Sequence, residues 1–459
     1  MIKYIVLLGT FVASLAVAAP QDNPLITGSA LFGDYLGSFK VHHYGDGGAN
    51  STQYSYGTIA VVPGTSRLFI TGGATTGTSP VQFRSIAEFA IPTTLGADSV
   101  PANLPNATIT QGFVDIITKN STGNPQYIDA IYGLTTSDAG ELFAQCATTY
   151  DAAIDNTHTT LVVRDPSDIA NSTVSGFYEV TGAARTTTYA SRVPAEWQST
   201  LGGDLLFGNG NGMSISARLS IGPSLYTTSA SDFAGSSGVI SSTEWQSYTV
   251  LHNLADSTYG QQSPVYNGSY NPWDAYNNVG LNSNFTVTNG LWTLGSNAFG
   301  GFIIPGTRTF VVIGYQYMNT SGGFYKETQD DGYLCPGPCA REAGDAIPYY
   351  WLFDLADTIT ATNPYDPVPY EYGAIPLHYT DYPGLGNYTP PWTGYVIRGV
   401  SYDEVAEKLY ISIADGTTGT GPGYPVVEVY SLTAVGTPPV TSRPKWGTKL
   451  IQSVSTVGD

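Results

Sequence analysis

The chain has 459 residues, 42% of them apolar and only 12% charged, and a formal net charge of −19. That balance excludes a binder of nucleic acid or of an anionic membrane, both of which need clustered lysine and arginine. Abundant glycine (53), proline (29) and tyrosine (33) favour strands and turns over long helices, and no helix is predicted beyond the leader.

The leader comes first. Lys3 gives a minimal positive start, residues 4–17 are apolar, and Ala16-Val17-Ala18 is a small-residue cleavage site. Residues 1–18 therefore read as a signal peptide and 19–459 as one secreted, extracellular domain. The apolar run is too short to span a bilayer, so no membrane partner is expected. Eight N-x-[ST] acceptors, at Asn50, Asn106, Asn120, Asn171, Asn267, Asn284, Asn319 and Asn387, fit a glycosylated product.

Phe39-Lys40-Val41 precedes the first complete unit and is placed to finish the last sheet, closing a ring. Residues 57–92 hold that unit: Thr58-Ile59-Ala60-Val61-Val62, the turn Pro63-Gly64-Thr65-Ser66, then Arg67-Leu68-Phe69-Ile70, a glycine-rich loop and Ile86-Ala87-Glu88-Phe89-Ala90-Ile91. Alternation with period two, rich in β-branched and aromatic residues and broken by turn residues, marks antiparallel strands. Residues 93–130 finish one blade and open the next. The unit recurs over 132–168 and over 299–357, where Ile303–Val312 and Tyr350-Trp351-Leu352-Phe353 carry it. Residues 397–432 give the clearest copy, with Leu409-Tyr410-Ile411-Ser412-Ile413 and Val426-Val427-Glu428-Val429-Tyr430. Closing runs exit through Asp165-Pro166-Ser167-Asp168, Ser229-Ala230-Ser231-Asp232 and Asp354-Leu355-Ala356-Asp357, where a side-chain oxygen can turn the backbone. One such sheet cannot bury its own apolar face. The expected fold is all-β, a β-propeller of six or seven blades, seven preferred, built from four-stranded antiparallel sheets.

Between these units, Pro194-Ala195-Glu196-Trp197-Gln198 is spaced to Leu201-Gly202-Gly203 and on to Gly222-Pro223. That spacing resembles a large family of secreted bacterial and fungal β-propeller proteins, loosely similar to propeller-type carbohydrate-active enzymes. Arg67-Leu68-Phe69-Ile70-Thr71-Gly72, Ala87-Glu88-Phe89-Ala90-Ile91-Pro92, Pro305-Gly306-Thr307-Arg308-Thr309 and Pro348-Tyr349-Tyr350-Trp351-Leu352-Phe353-Asp354 match the same pattern. The family pattern has a histidine after the glycine of the first hairpin and another before a Tyr-Pro-Tyr-like run. This chain has Gly73-Ala74 and Asp345-Ala346 there, so any catalytic histidines of the family are lost or replaced.

Two long polar stretches, 245–297 and 362–395, are rich in aromatic residues, and long loops on a rigid scaffold carry function. Trp273, Tyr276, Trp392 and Tyr395 are candidate substrate platforms, since flat rings suit the C–H faces of sugars; the same rings also commonly cap sheet edges. His378 with Tyr379, and His42, have the residue types of an acid/base pair for glycan cleavage. Arg164, Arg185, Arg192, Arg218 and Arg398 are the cations that could neutralise a uronate carboxylate; the structural alternative for each is a salt bridge or a solvated strand edge, and for each histidine a packing role. Hydrolysis needs two facing carboxylates, and Glu327, Asp330, Asp331, Asp345, Glu371, Asp381 and Asp403 are candidates that sequence cannot pair. Cys335-Pro336-Gly337-Pro338-Cys339 reads as a small disulfide loop, because zinc would need further ligands nearby. Cys146 reads as a buried small hydrophobe. No cofactor and no catalytic metal are indicated, and a structural calcium at Asp330-Asp331-Gly332 finds only a faint pattern. The sequence thus points to a monomeric, secreted propeller that binds or cleaves an extracellular glycan at one end of its channel. The alternative is a non-catalytic wall, matrix or adhesive propeller binding another protein.

Overall fold

The structure, a computed structural model, describes residues 19–45, 50–52, 55, 57–73, 83–98, 100–120, 122–148, 156–181, 188–210, 223–247, 296–317, 346–364, 366–378, 396–414 and 424–432. Its strands form five blades. The first strand, β1 (Asp34–Lys40), belongs to the last of them. Blade 1 is β2 (Ile59–Val61), β3 (Arg67–Thr71), β4 (Ser85–Ala90) and β5 (Thr108–Asp115). Blade 2 is β6 (Ala130–Thr136), β7 (Leu142–Ala147), β8 (His158–Val163) and β9 (Val174–Val180). Blade 3 begins with β10 (Tyr189–Arg192), β11 (Leu205–Gly208) and β12 (Leu225–Thr228). The next strand, β13 (Gly238–Ile240), returns to the edge of blade 2 parallel to β9, and β14 (Thr243–Gln246) completes blade 3. Blade 4 is β15 (Asn297–Ile303), β16 (Thr309–Tyr317), β17 (Ala346–Asp354) and β18 (Pro369–Ala374). Blade 5 is β19 (Val396–Asp403), β20 (Lys408–Ala414) and β21 (Val426–Ser431), with β1 antiparallel on β21. The ring thus closes through the N-terminal strand as the sequence predicts, but around five blades and not seven. Two features inflate a count made from length: long connectors between strands, and an opening stretch that adds no blade of its own. Blade 4 alone draws its four strands from residues 297–374.

The innermost strands of successive blades touch in order, β2 to β6 to β10 to β15 to β19 and back to β2. Each pair of adjacent blades encloses its own apolar core. Phe69 and Ile86 meet Leu142 and Leu161 between blades 1 and 2, and Phe143 meets Phe207 and Phe233 between blades 2 and 3. Trp197 and Leu206 meet Phe310 and Trp351 in the next gap. Val311 and Leu352 meet Ile411 and Tyr430, and Phe39 and Val427 meet Leu68 and Phe89 at the closure. The alternation of each strand explains this: one set of side chains serves one neighbour and the other set the opposite neighbour. Each fully buried Leu, Val or Phe contributes about 1.5–3 kcal/mol, so the ring is stable only when complete.

Three inner strands share a device. The pairing of β6, β15 and β19 with their second strands skips Tyr132, Phe299 and Arg398, and resumes at Gly133, Gly300 and Gly399. These are β-bulges, which bend the strand and re-aim the extra side chain. The glycines let neighbouring blades close up. A Cβ on Gly300 would lie 2.4 Å from Val400 Cβ, and one on Gly399 2.4 Å from the Gly57 carbonyl oxygen. At this level the Arg398 guanidinium lies over the Phe299 ring, 5.5 Å from its centre. The Thr58 hydroxyl donates to the carbonyls of Tyr132 (3.2 Å) and Arg398 (3.4 Å).

Short helices occur where none is predicted, chiefly Ala195–Leu201 and Leu355–Thr360. Asp354 caps the second, its Oδ1 accepting from Ala356 N at 2.9 Å, the turn-forming role its exit position suggests. The first ends at Gly202 in the left-handed region, φ 74°.

Candidate functional site

A cavity of about 260 Å³ opens where the innermost strands finish. All five contribute to its wall: Ala60 and Val61, Leu134 to Thr136, Ala190 to Arg192, Gly301 to Ile303, and Val400 to Tyr402. The turns that lead from each inner strand to its partner form the rim, with Pro63, Asp138, Glu196, Pro305 and Glu404.

Arg192 organises the charges. It ends β10, and its Nη1 donates to Asp138 Oδ1 at 2.9 Å while Nη2 sits 2.6 Å from Glu404 Oε1. One guanidinium so joins blades 2, 3 and 5 with its side chain only 19% exposed. Burial pushes the Glu404 carboxyl above the usual carboxylate range; Arg192 pulls it back in part, and Asp403 and Asp138 push it further up. Glu196 stands in the first turn of the helix Ala195–Leu201 and accepts from Gly306 N at 2.7 Å. That helix is held from below by Trp197, fully buried, whose Nε1 donates to the Thr307 carbonyl at 2.8 Å. Asp403 fixes the neighbouring turn by accepting from Gly64 N with both oxygens, at 2.9 and 3.0 Å.

Hydroxyls complete the wall. Ser401 Oγ accepts from Val61 N at 3.0 Å, and Tyr402 stacks on Phe302, 4.9 Å between centres at 16°. Burial raises the Tyr402 hydroxyl pKa, so it stays a neutral donor. Ser191 Oγ is buried without a hydrogen-bond partner among the described residues. Chemically this is a polar pocket with one raised carboxyl, two other carboxylates and a paired cation on an apolar floor. Among the described residues no group of three or more His, Cys, Asp or Glu could hold a metal ion.

Of the catalytic candidates singled out from sequence, His378, His42 and Arg398 are among the described residues, and none of the three lines this cavity. His378 is exposed; its ring stacks on Tyr35 at 4.3 Å and its N–H donates to Glu428 Oε2 at 3.1 Å. His42 stacks on Tyr424 at 4.6 Å, exchanges backbone hydrogen bonds with the Asn106 side chain, and has its pKa lowered by burial first and then by Lys40 and His43. Arg398 is a bulge residue beneath the cavity, not part of its wall. Tyr379, Trp273, Tyr276, Trp392 and Tyr395 lie outside the described residues, as do Cys335, Cys339, Asp330 and Asp331. Of the glycan acceptors, Asn50, Asn106 and Asn171 are exposed, whereas Asn120 is buried with Nδ2 donating to the Gly123 carbonyl at 2.8 Å. Asn267, Asn284, Asn319 and Asn387 are outside the described residues. Cys146 is fully buried, its thiol pKa raised by burial, which leaves it a packing residue.

Asp138 and Glu404 were not singled out from sequence, whereas Arg192 was, with the salt bridge it makes here as its structural alternative. A signal was present: Asp138, Glu196 and Glu404 each fall within four residues of the end of an inner strand. No family model matches the chain, and no curated protein does. Among solved structures it is similar to a protein described as a glycoside hydrolase from Parabacteroides distasonis, with 10% identity over 90% of this chain and 93% of that one, TM-score 0.36. Another is a structure from work on the GH130 family of mannoside phosphorylases, which contains glycoside hydrolases targeting β-1,2 mannosidic linkages in Candida mannan; identity is 8% over 89% and 97% of the chains, TM-score 0.38. Likeness this distant carries no chemistry to this chain, and the propeller stands on its own five sheets.

Proposed function

We propose that this propeller binds a glycan in the cavity where its inner strands finish and cleaves it by hydrolysis. The observation that carries the reading is Glu404, a carboxyl with raised pKa facing a cavity that also holds Asp138 and Glu196. Two carboxyl groups held in opposite protonation states are what glycoside hydrolysis requires. Protonated Glu404 gives its proton to the glycosidic oxygen as the bond from C1 to that oxygen breaks. An ionised carboxylate takes a proton from water, whose hydroxide oxygen adds at C1. Arg192 positions Glu404, and the wall hydroxyls bind sugar hydroxyls.

The same residues support a second, binding-only reading, because Arg192 already pairs with both Asp138 and Glu404 and the cluster is complete as a staple between blades. Incubation with neutral polysaccharides, following new reducing ends, separates the two. Hydrolysis predicts release that falls by about 10²–10⁴ in Glu404→Gln, the usual worth of a general acid. Binding without release would leave only the non-catalytic form. We propose further that the site lies outside the cell, a reading supported by the leader-like residues 1–18 and by the exposure of the acceptors Asn50, Asn106 and Asn171. Mass spectrometry of the protein from a eukaryotic host checks that placement: a retained leader or unmodified acceptors would contradict it.

A further inference from the structure

How much of a glycan the cavity takes follows from its floor. The inner strands line it only with residues after their bulges; nothing from the first halves of β6, β15 or β19 reaches the wall. Beneath lies the bulge layer, with Arg398 over Phe299 and the Thr58 hydroxyl between two bulge carbonyls. Those two carbonyls belong to blades 2 and 5, which are not neighbours in the ring, and β6 and β19 touch across the axis. A sugar chain has no way through, so the cavity is blind. Its volume of about 260 Å³ also falls below the roughly 300–1,000 Å³ of sites for drug-sized ligands.

Charge narrows the occupant. Three carboxyl groups, Asp138, Glu196 and Glu404, face the cavity with one guanidinium, and Arg192 already pairs with Asp138 and Glu404. An acidic sugar would add a negative charge beside Asp138 and Glu196, and among the described residues Arg192 is the one cation lining the cavity, a repulsive element that selects against it.

Building on the glycan reading above, we infer that the cavity takes a single, non-acidic terminal residue of a glycan, end-on, with the rest of the chain leaving through the mouth between the turns. Cleavage in this geometry removes one sugar at a time from a chain end.

Isothermal titration tests it with methyl glycosides of neutral hexoses and pentoses, methyl glucuronide, and oligosaccharides of two to five units ending in the same sugars. At least one neutral methyl glycoside should bind, and oligosaccharides ending in that sugar should bind within about threefold of it. The uronide should bind at least tenfold more weakly. Ala195→Trp, an exposed rim position on the helix, should weaken every ligand at least tenfold while the circular dichroism stays native. Affinity climbing about tenfold with each added unit, equal binding of the uronide, or unchanged binding in Ala195→Trp would overturn the inference while leaving a glycan-binding protein. No binding by any sugar would overturn the glycan reading, and this inference with it.

Discussion

The two ends of the inner strands are built from different chemistry. Where the strands finish, tight turns place charged groups: Asp138, Arg192 and Glu404 meet across three blades. Where they begin, neutral amides are prominent among the buried polar groups, beside hydroxyls such as Thr58 and the buried carboxyl of Asp129 just before β6. Gln145, Gln246 and Asn297 are each at least nine-tenths buried, and each keeps one amide atom, Nε2, Oε1 and Oδ1, without a partner among the described residues. Charges demand partners when they leave water, and short turns fix partners well. Amides tolerate a missing partner at about 1–3 kcal/mol each. The bulge layer separates the two regimes, so the acidic end can be tuned for chemistry without disturbing the amide end.

The comparison can be broken most forcefully at its support. Trp197→Ala empties the core beneath the rim helix, and about 3–5 kcal/mol of stability should be lost in urea unfolding. A loss below about 1 kcal/mol would mean that the helix is not held by this packing. Arg192→Met leaves Glu404 and Asp138 without their cation and should cost about 2–4 kcal/mol, less than a fully buried pair because Asp138 is half in water. Gly399→Ala should cost about 1–3 kcal/mol through its collision with the Gly57 carbonyl, whereas Gly112→Ala, with open space around it, should change little. At the amide end Gln145→Met should cost about 1–2 kcal/mol, because Nε2 is already unpaired but Oε1 accepts from the buried Thr160 hydroxyl at 3.1 Å.

Proton linkage sharpens the same contrast. Burial opposes ionisation of Glu88 in blade 1, but hydrogen bonds from Arg67, Gln111 and Thr110 and the Arg67 charge outweigh it, so its pKa is lowered. Its contribution is present above the unfolded value of about 4.3 and is lost as pH falls through the folded value. Glu404 has the opposite sign. Its raised pKa means the folded state holds the proton longer, so stability present below about 4.3 is lost as pH rises through the folded value. Glu88→Gln should therefore weaken the acid-side loss of stability, and Glu404→Gln the loss on raising pH from that value, both read from urea midpoints against pH. Identical profiles for both variants would refute the assignment.

Much of this architecture is legible in the sequence because period-two alternation is a local property. Leu409–Ile413, Val426–Tyr430 and Arg67–Ile70 fall inside β20, β21 and β3, and Phe39 closes the ring from β1 as its position suggests. Blade number is not local, since it depends on how far apart paired strands lie, and length overcounts it. The helix Ala195–Leu201 escaped because seven residues give too few turns for a period to emerge, and its Pro194 cap makes no side-chain hydrogen bond. For the site, residue type alone does not point to the cavity. Histidine and tyrosine suit acid/base work, yet His42 and His378 are stacked on Tyr424 and Tyr35 away from the cavity. The carboxyl groups that do converge are brought together only by the ring, and Arg192 meets Glu404 across 212 positions of sequence (404 − 192).

On this reading a sugar sits at the acidic, blind end of the ring. A crystal of the protein soaked with the tightest-binding neutral methyl glycoside tests it directly. The account predicts one ordered sugar ring above the bulge layer, within hydrogen-bonding reach of Glu404 and Ser401. A sugar bound only at the amide end, or on the outer faces of the blades with this cavity filled by water, would contradict it.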